Sequence, residues 1–375
     1  MNRADLAARR RWVIKIGSSL LTDNGQAVAA SAVARWVAQI AALRARGVEV
    51  VVVSSGAVAA GMLRLGLGQR PDNLSQLQAA AAVGQLDIAS LWDRALAAHQ
   101  INAAQVLLTH EDAADRQRYL NARNTLRALL DWGVVPVINE NDTVASDEIR
   151  FGDNDTLAAV AVDLCSADLL VILTDQQGIY SSDPRFDPQA ELIGDASIDD
   201  ERLVAAAGGS GGTLGRGGMK TKLQAAQIAA RSGVSTVIAG GSLDEVLVAV
   251  ADGHPVGTCL WAGEDGRMTA RKRWIAAQRR AVGKLWLDDG AREALLDKGR
   301  SLLPVGVTSV EGRFAPGDLV HCVDASGQVI ARGLSNYDSE DARRLCGVTS
   351  SQINQVLGRP GEPELVHRNN LILGA

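Results

Sequence analysis

Two lysines, Lys15 and Lys222, and several polar residues placed where apolar runs stop are the groups of this chain that can do chemistry. Lys15 lies at the end of the apolar run 12–16 and is followed by Gly17-Ser18-Ser19. Lys222 follows a run, 208–218, that holds seven glycines in eleven residues and leads into Met219-Lys220-Thr221-Lys222. So many glycines lose too much conformational entropy to form the interior of a helix or strand. The alanine-rich stretch 222–231 that comes next reads as helix. A glycine loop feeding a helix N-terminus gathers bare backbone N–H groups and a positive dipole end at one point. With Lys222 added, that point suits a phosphate chain. Neither common nucleotide loop is present, since the chain has no G-x-x-x-x-G-K-[ST] and no G-x-G-x-x-G after a strand.

Further polar clusters share the same placement. They are Ser54-Ser55-Gly56-Ala57, Asn139-Glu140-Asn141-Asp142, Gly152-Asp153-Asn154-Asp155, and Thr174-Asp175 followed by turn residues through Asp183-Pro184-Arg185. Phosphoryl transfer is mostly positioning and electrostatic stabilisation, so it needs cations at the transferring group. Lys15 and Lys222 can supply them. None of these loops contains a histidine. A carboxylate acceptor fits that absence, because it is already ionised near neutral pH and needs no general base.

The elements that must hold these residues are legible as an alternation. Apolar runs at 12–16, 48–53, 103–108, 134–138, 169–173 and 234–239 are separated by helical stretches at 27–46, 74–99, 121–132 and 156–167. Near-continuous apolar strands between helices predict a parallel sheet covered on both faces, with ligands at the C-terminal strand ends. The alternation stops near Trp261. Residues 263–280 are polar and basic, with Arg271-Lys272-Arg273, and read as a linker. Short strands at 282–287, 306–310, 319–323 and 329–334, separated by Gly- and Asp-containing turns, read as a small β-barrel.

Composition narrows the class. A chain of 375 residues calls for two domains, and 47% apolar residues with 3% aromatics call for a core of Ala, Val, Leu and Ile. A net charge of −5 argues against a general nucleic-acid binder and suits a cytoplasmic enzyme. Cys165, Cys259, Cys322 and Cys346 are scattered, and the five histidines lack ligand spacing, so neither a disulfide framework nor a structural metal is expected. The charged N-terminus lacks the apolar core of a signal peptide, and no apolar run approaches the roughly 20 residues that span a bilayer. A cytoplasmic location with no membrane contact is the expectation.

On these motifs, in this order, the chain resembles the glutamate 5-kinases of the amino acid kinase superfamily. The likeness runs over residues ~11–262 and continues into a C-terminal segment that resembles a PUA domain. It implies an amino acid kinase domain at 1–262, a linker at 263–280 and a PUA domain at 281–375. The implied fold is α/β: a three-layer αβα sandwich around a mainly parallel eight-stranded sheet, plus a small C-terminal β-barrel. The implied reaction is phosphorylation of L-glutamate by ATP with Mg²⁺ to L-glutamate 5-phosphate, the first step of proline biosynthesis.

The resemblance also implies roles for particular residues. Lys15 and Lys222 correspond to the lysines that stabilise the transferred phosphoryl, and Asp155 to the aspartate that organises them. Ser55, Gly56, Asn139, Asp142, Asp153 and Asn154 correspond to the glutamate site. Lys15, Thr174, Asp175, Arg216, Gly217, Gly218, Met219, Lys220, Thr221 and Lys222 correspond to the ATP site. No residue is assigned as a metal ligand. Arg216 stands where threonine is common in the family, and Ser54 where threonine is frequent. L-proline is the implied inhibitor, sharing the 139–142 loop and the segment 110–123. A homo-oligomer is implied, and a weak association with glutamate 5-phosphate reductase follows from the lability of an acyl phosphate.

Acetylglutamate kinase and aspartokinase would share the fold and the lysines. The PUA-like tail and the Asn139-Glu140-Asn141-Asp142 cluster favour glutamate as substrate, and no regulatory repeat of the aspartokinase kind is present. An RNA-binding protein is the reading from another class, since PUA domains usually occur there. Residues 281–375 carry ten basic against twelve acidic side chains, which speaks against it, although Arg343 and Arg344 form a local basic pair.

Overall fold

From Trp12 to Ile16 every residue is buried, so parity decides which side of the sheet each side chain enters. Val13 and Lys15 face one way; Trp12, Ile14 and Ile16 face the other. The computed structural model of the protein describes residues 2–22, 27–145, 154–208, 218–263, 281–296 and 298–373. It divides into two units, Met1–Gly266 and Arg267–Ala375. Apart from Gly263, the expected linker 263–280 lies outside the described residues.

In the first unit the order is β1 (Arg11–Ile16), α1 (Ser18–Leu21), α2 (Ala30–Ala45), β2 (Glu49–Val53), α3 (Ala57–Leu65), α4 (Leu74–Ala97), β3 (Ala103–Leu108), α5 (His110–Ala114), α6 (Arg116–Asp131) and β4 (Val135–Glu140). Then come α7 (Asn154–Cys165), β5 (Leu169–Thr174), β6 (Asp195–Ser197), α8 (Glu201–Gly208), α9 (Met219–Arg231), β7 (Ser235–Gly240), α10 (Val246–Ala251) and β8 (Thr258–Trp261). The eight strands form one sheet in the order β3-β4-β2-β1-β5-β7-β8-β6. Pairing is parallel from β3 to β7, and β8 then runs antiparallel to β7. The chain builds outward from one side of β1 and later returns to its other side at β5. In sheets of this kind, ligands bind at the C-terminal ends of the strands where such a reversal occurs, here β1 and β5.

Each face of the sheet has its own core. Val13, Val51, Val53, Leu170 and Ile172 pack with residues of α6, α7, α8 and α9 such as Leu126, Leu157, Leu203 and Leu223. Trp12, Ile14, Val50, Val52, Leu169 and Val171 pack with residues of α2, α4 and α10 such as Trp36, Ile40, Trp92 and Val250. These are the three layers read from the sequence.

Several boundaries differ from the sequence reading. β4 runs on through Asn139 and Glu140, which pair in register with Leu107 and Leu108 of β3, so both are buried strand residues rather than loop. α6 starts at Arg116 instead of 121, because the Asp115 side chain accepts from the Arg118 N–H and caps it. β6 and β8, of three and four residues, carry too short an apolar pattern to be read from the sequence. α3 and α4 touch backbone to backbone: a Cβ on Gly61 would lie 1.7 Å from the Ala80 carbonyl oxygen, and one on Gly84 would lie 1.9 Å from that of Ala57.

The second unit is a five-stranded sheet in the order β10-β9-β11-β12-β13, made of β9 (Gly283–Leu287), β10 (Val307–Gly312), β11 (Leu319–Val323), β12 (Val329–Leu334) and β13 (Leu371–Leu373). Its four expected strands are present, and β13 adds a fifth. Helices α11 (Asp289–Leu296), α12 (Ser339–Arg344) and α13 (Ile353–Leu357) accompany it. Leu285, Phe314, Val320, Leu345 and Val366 belong to its separate core. Cys165, Cys259 and Cys322 are buried free thiols whose pKa values burial pushes up to about 12, which leaves them inert. Among the described residues no helix is long and apolar enough to cross a membrane.

Candidate active site

Strand parity sends Lys15 to the face covered by α7 and α9. Asp155 occupies the first turn of α7, where the helix dipole favours a carboxylate. Lys222 lies on the first turns of α9, on the side that faces the core, whereas Lys220 is exposed. The three side chains meet. Lys15 Nζ is 2.5 Å from Asp155 Oδ1, and Lys222 Nζ is 3.1 Å from Asp155 Oδ2. The Thr221 hydroxyl lies 2.7 Å from Asp155 Oδ2 and 2.8 Å from the Gly218 carbonyl oxygen. Asp155 is 1% exposed and each lysine 5%.

This is a dry cluster of two ammonium groups on one carboxylate, so its net charge is one positive. Burial alone would raise the Asp155 pKa, but the two lysines and their hydrogen bonds overcome it and hold the pKa at about 2. Lys222 moves the other way. Burial and then the neighbouring Lys15 charge pull its pKa below the ordinary lysine value, against the opposing pull of Asp155. An anion arriving here would relieve the repulsion between the lysines. In a water-poor site such fixed charges act far more strongly than in water.

A neutral cluster adjoins it. Asn154, the first residue of α7, has its Nδ2 at 2.5 Å from the Ser54 carbonyl oxygen and 2.7 Å from Asn139 Oδ1. Asn139 Nδ2 donates in turn to Gln85 Oε1 of α4 at 2.6 Å. The Ser54 hydroxyl accepts from the buried Trp92 indole at 3.0 Å. Ser55 is buried, and Gly56 takes φ +87° at the start of α3, a conformation that strains any side-chain-bearing residue. Asp142 lies half-buried in the turn after β4.

Toward β5, Thr174 is buried and its hydroxyl donates to Asp175 Oδ1 at 2.9 Å, with Asp175 itself exposed. Gly218, the N-cap of α9, has no side chain to cap the helix, so that helix start suits an anion. Lys15, Lys222, Asp155 and Thr221 thus come together in one cluster, and Asn139 and Asn154 in the neighbouring one. Asp153, Arg216 and Gly217 lie outside the described residues. Gln85 went unread in the sequence; its one visible mark is a polar side chain beside Gly84 in an alanine-rich helix.

A model described as the amino acid kinase family matches residues 10–240, and one for the PUA domain matches residues 283–357. A Hahella chejuensis protein named glutamate 5-kinase is 54% identical over 371 residues, covering 99% of this chain and 96% of that relative. The glutamate 5-kinase of Stutzerimonas stutzeri is 55% identical, with 99% and 100% covered. That of Pseudomonas entomophila is 54% identical, again with 99% and 100% covered.

Proposed function

This chain belongs to the amino acid kinase family, and we propose that it transfers the γ-phosphoryl group of ATP to the γ-carboxylate of L-glutamate, giving ADP and L-glutamate 5-phosphate, the first step of proline biosynthesis. The observation that carries this reading is the buried Lys15–Asp155–Lys222 cluster at the C-terminal ends of the strands, with two cations held apart by one carboxylate. The full-length likeness to the glutamate 5-kinases supports it independently.

The chemistry follows from charge. The glutamate γ-carboxylate, with an ordinary pKa near ~4.3, is ionised at neutral pH and attacks phosphorus without a general base. The transferring phosphoryl spreads negative charge over its oxygens, and the Lys15 and Lys222 ammonium groups stabilise that charge as it passes between donor and acceptor. Asp155 acts through them: each of its carboxylate oxygens holds one lysine, which fixes both and keeps them apart. Thr174, Asp175 and the N-terminal turn of α9 would hold the nucleotide, with 216–217 as the preceding part of the same loop. Ser55, Gly56, Asp142 and Asn154 would hold the amino acid, with Asp153.

Magnesium fits this site as a passenger on the nucleotide. Among the described residues no group of three or more Asp, Glu, His or Cys can hold a metal, and Asp155 is committed to the lysines. Mg²⁺ would be bound chiefly by phosphate oxygens and water, and it would neutralise phosphate charge there. L-proline, which shares the α-amino and α-carboxyl groups of glutamate, would compete at the amino-acid site. The labile acyl phosphate calls for prompt collection by glutamate 5-phosphate reductase. A coupled ADP-release assay with glutamate, N-acetylglutamate and aspartate tests the assignment. ADP release confined to glutamate is the expected result, and equal or faster turnover of either alternative contradicts it.

A further inference from the structure

We propose that Gln85 is a positioning residue for substrate recognition: it fixes the Asn139 side chain and, through it, presents the Asn154 carboxamide oxygen to the ammonium group of the acceptor amino acid. The inference rests on the reading that an amino acid is the acceptor.

The hydrogen-bonding capacity of each amide makes the case. A carboxamide offers two N–H donors and one acceptor oxygen. Asn154 uses its Nδ2 toward two oxygens, Ser54 O at 2.5 Å and Asn139 Oδ1 at 2.7 Å. A flipped Asn154 would set its own oxygen against both of them. Its acceptor oxygen is therefore what it can offer a ligand, and the ligand group it suits is a donor. Asn139 cannot serve in the same way. It is 2% exposed, its oxygen takes the Asn154 N–H, and its Nδ2 donates to Gln85 Oε1 at 2.6 Å.

The direction of this relay is set at the Ser54 carbonyl, which can only accept and so orients the Asn154 Nδ2, and through it the Asn139 oxygen. Gln85 closes the far end by accepting from Asn139 Nδ2. If that acceptor oxygen were lost, Asn139 would be held at one end alone, with a buried N–H left unpaired, and its grip on Asn154 would loosen. The Gln85 backbone is well anchored. It follows Gly84, where α4 meets the α3 backbone so closely that no Cβ fits. The relay thus runs from α4 on one face of the sheet, over the end of β4, to the first residue of α7 on the other. It ends at Asn154, one residue before Asp155.

The test uses two variants of the full-length protein. Gln85→Met removes the acceptor at nearly constant volume, and Gln85→Glu keeps an acceptor oxygen in place. For Q85M, the glutamate KM should rise about tenfold or more while the ATP KM stays within about twofold and Tm changes little, and Q85E should recover most of the loss. An unchanged glutamate KM in Q85M, a proportional rise in both KM values, or a Q85E variant as impaired as Q85M would overturn the proposal. The Asn154 carboxamide proton signals, identified by their loss in N154D, give a readout free of turnover. They should exchange slowly in the wild type and Q85E and faster in Q85M; equal exchange in all three would also overturn it. A wild-type protein that phosphorylates no glutamate would sink the functional reading alone, and the relay would then be decided by this exchange measurement.

Discussion

Asn154 and Asp155 are neighbours in the chain, yet they serve two unlike networks. Asp155 sits in a dry, charged cluster with a net positive charge, built from the end of β1 and the starts of α7 and α9. Asn154 ends a neutral chain of amides that reaches back to α4. The charged network has what a phosphoryl group in flight requires, which is fixed cations in a low-dielectric site. The neutral network has what recognition requires, which is donors and acceptors of settled orientation. In the proposed function, one turn of helix joins the chemistry to the choice of substrate, and mutation should separate the two jobs.

The largest effect should come from the charged side. Lys15→Ala and Lys222→Ala should each lower kcat by roughly 10³-fold, the scale seen when a transition-state charge loses its partner. Arginine should restore little at either site, because its planar fork cannot replace a point charge held by one carboxylate oxygen. Steady-state kinetics at saturating substrates reads both, and a variant turning over near the wild-type rate would remove that lysine from the chemistry.

On the neutral side the effect should be smaller and of another kind. Asn154→Ala should raise the glutamate KM roughly 10–100-fold, the worth of one hydrogen bond to a charged group, and leave the ATP KM within about twofold. Equal damage to both KM values would mean that the two networks are not separate.

Acid stability distinguishes the networks as well. The Asp155 pKa is depressed from the ordinary 3.8 to about 2. A carboxylate with a lowered native pKa contributes stability above its unfolded pKa and loses it as pH falls through the native value. Asp155→Asn should be the less stable protein at neutral pH, since two buried lysines lose their counter-charge. The gap to wild type should then close by roughly 2 kcal/mol between pH 4 and pH 2. Urea melts across that range check it, and a constant gap would argue against a paired Asp155. The smallest effect is expected from removing residues after 280. Every residue placed in the site precedes that point, so glutamate phosphorylation by the truncated, folded chain should stay within a few-fold of wild type.

How much of this was legible in the sequence depended on the kind of interaction. Lys15, Asp155 and Lys222 stood out because charges next to apolar runs and glycines break a pattern, and the sheet put all three together. The parallel strands stood out because they are buried on both faces and read as unbroken apolar runs. Asn139 and Glu140 looked like loop because polar residues rarely end a buried strand; their register with Leu107 and Leu108 is a tertiary fact. Gln85 carried only a faint mark, a polar side chain beside Gly84. Gly84 hints at the close packing of α4 on α3, but nothing near it in the chain records that Gln85 reaches Asn139. β6 and β8 are too short for any periodicity to emerge, and Asp115 starts α6 through a single hydrogen bond.

The division between charge and recognition is tested most directly by single-turnover formation of the acyl phosphate, trapped with hydroxylamine, at saturating ATP and rising glutamate. The account predicts that N154A regains nearly the wild-type rate once glutamate saturates, whereas K222A stays slow at every concentration. An N154A variant that remains slow at saturation, or a K222A variant that recovers, would contradict it.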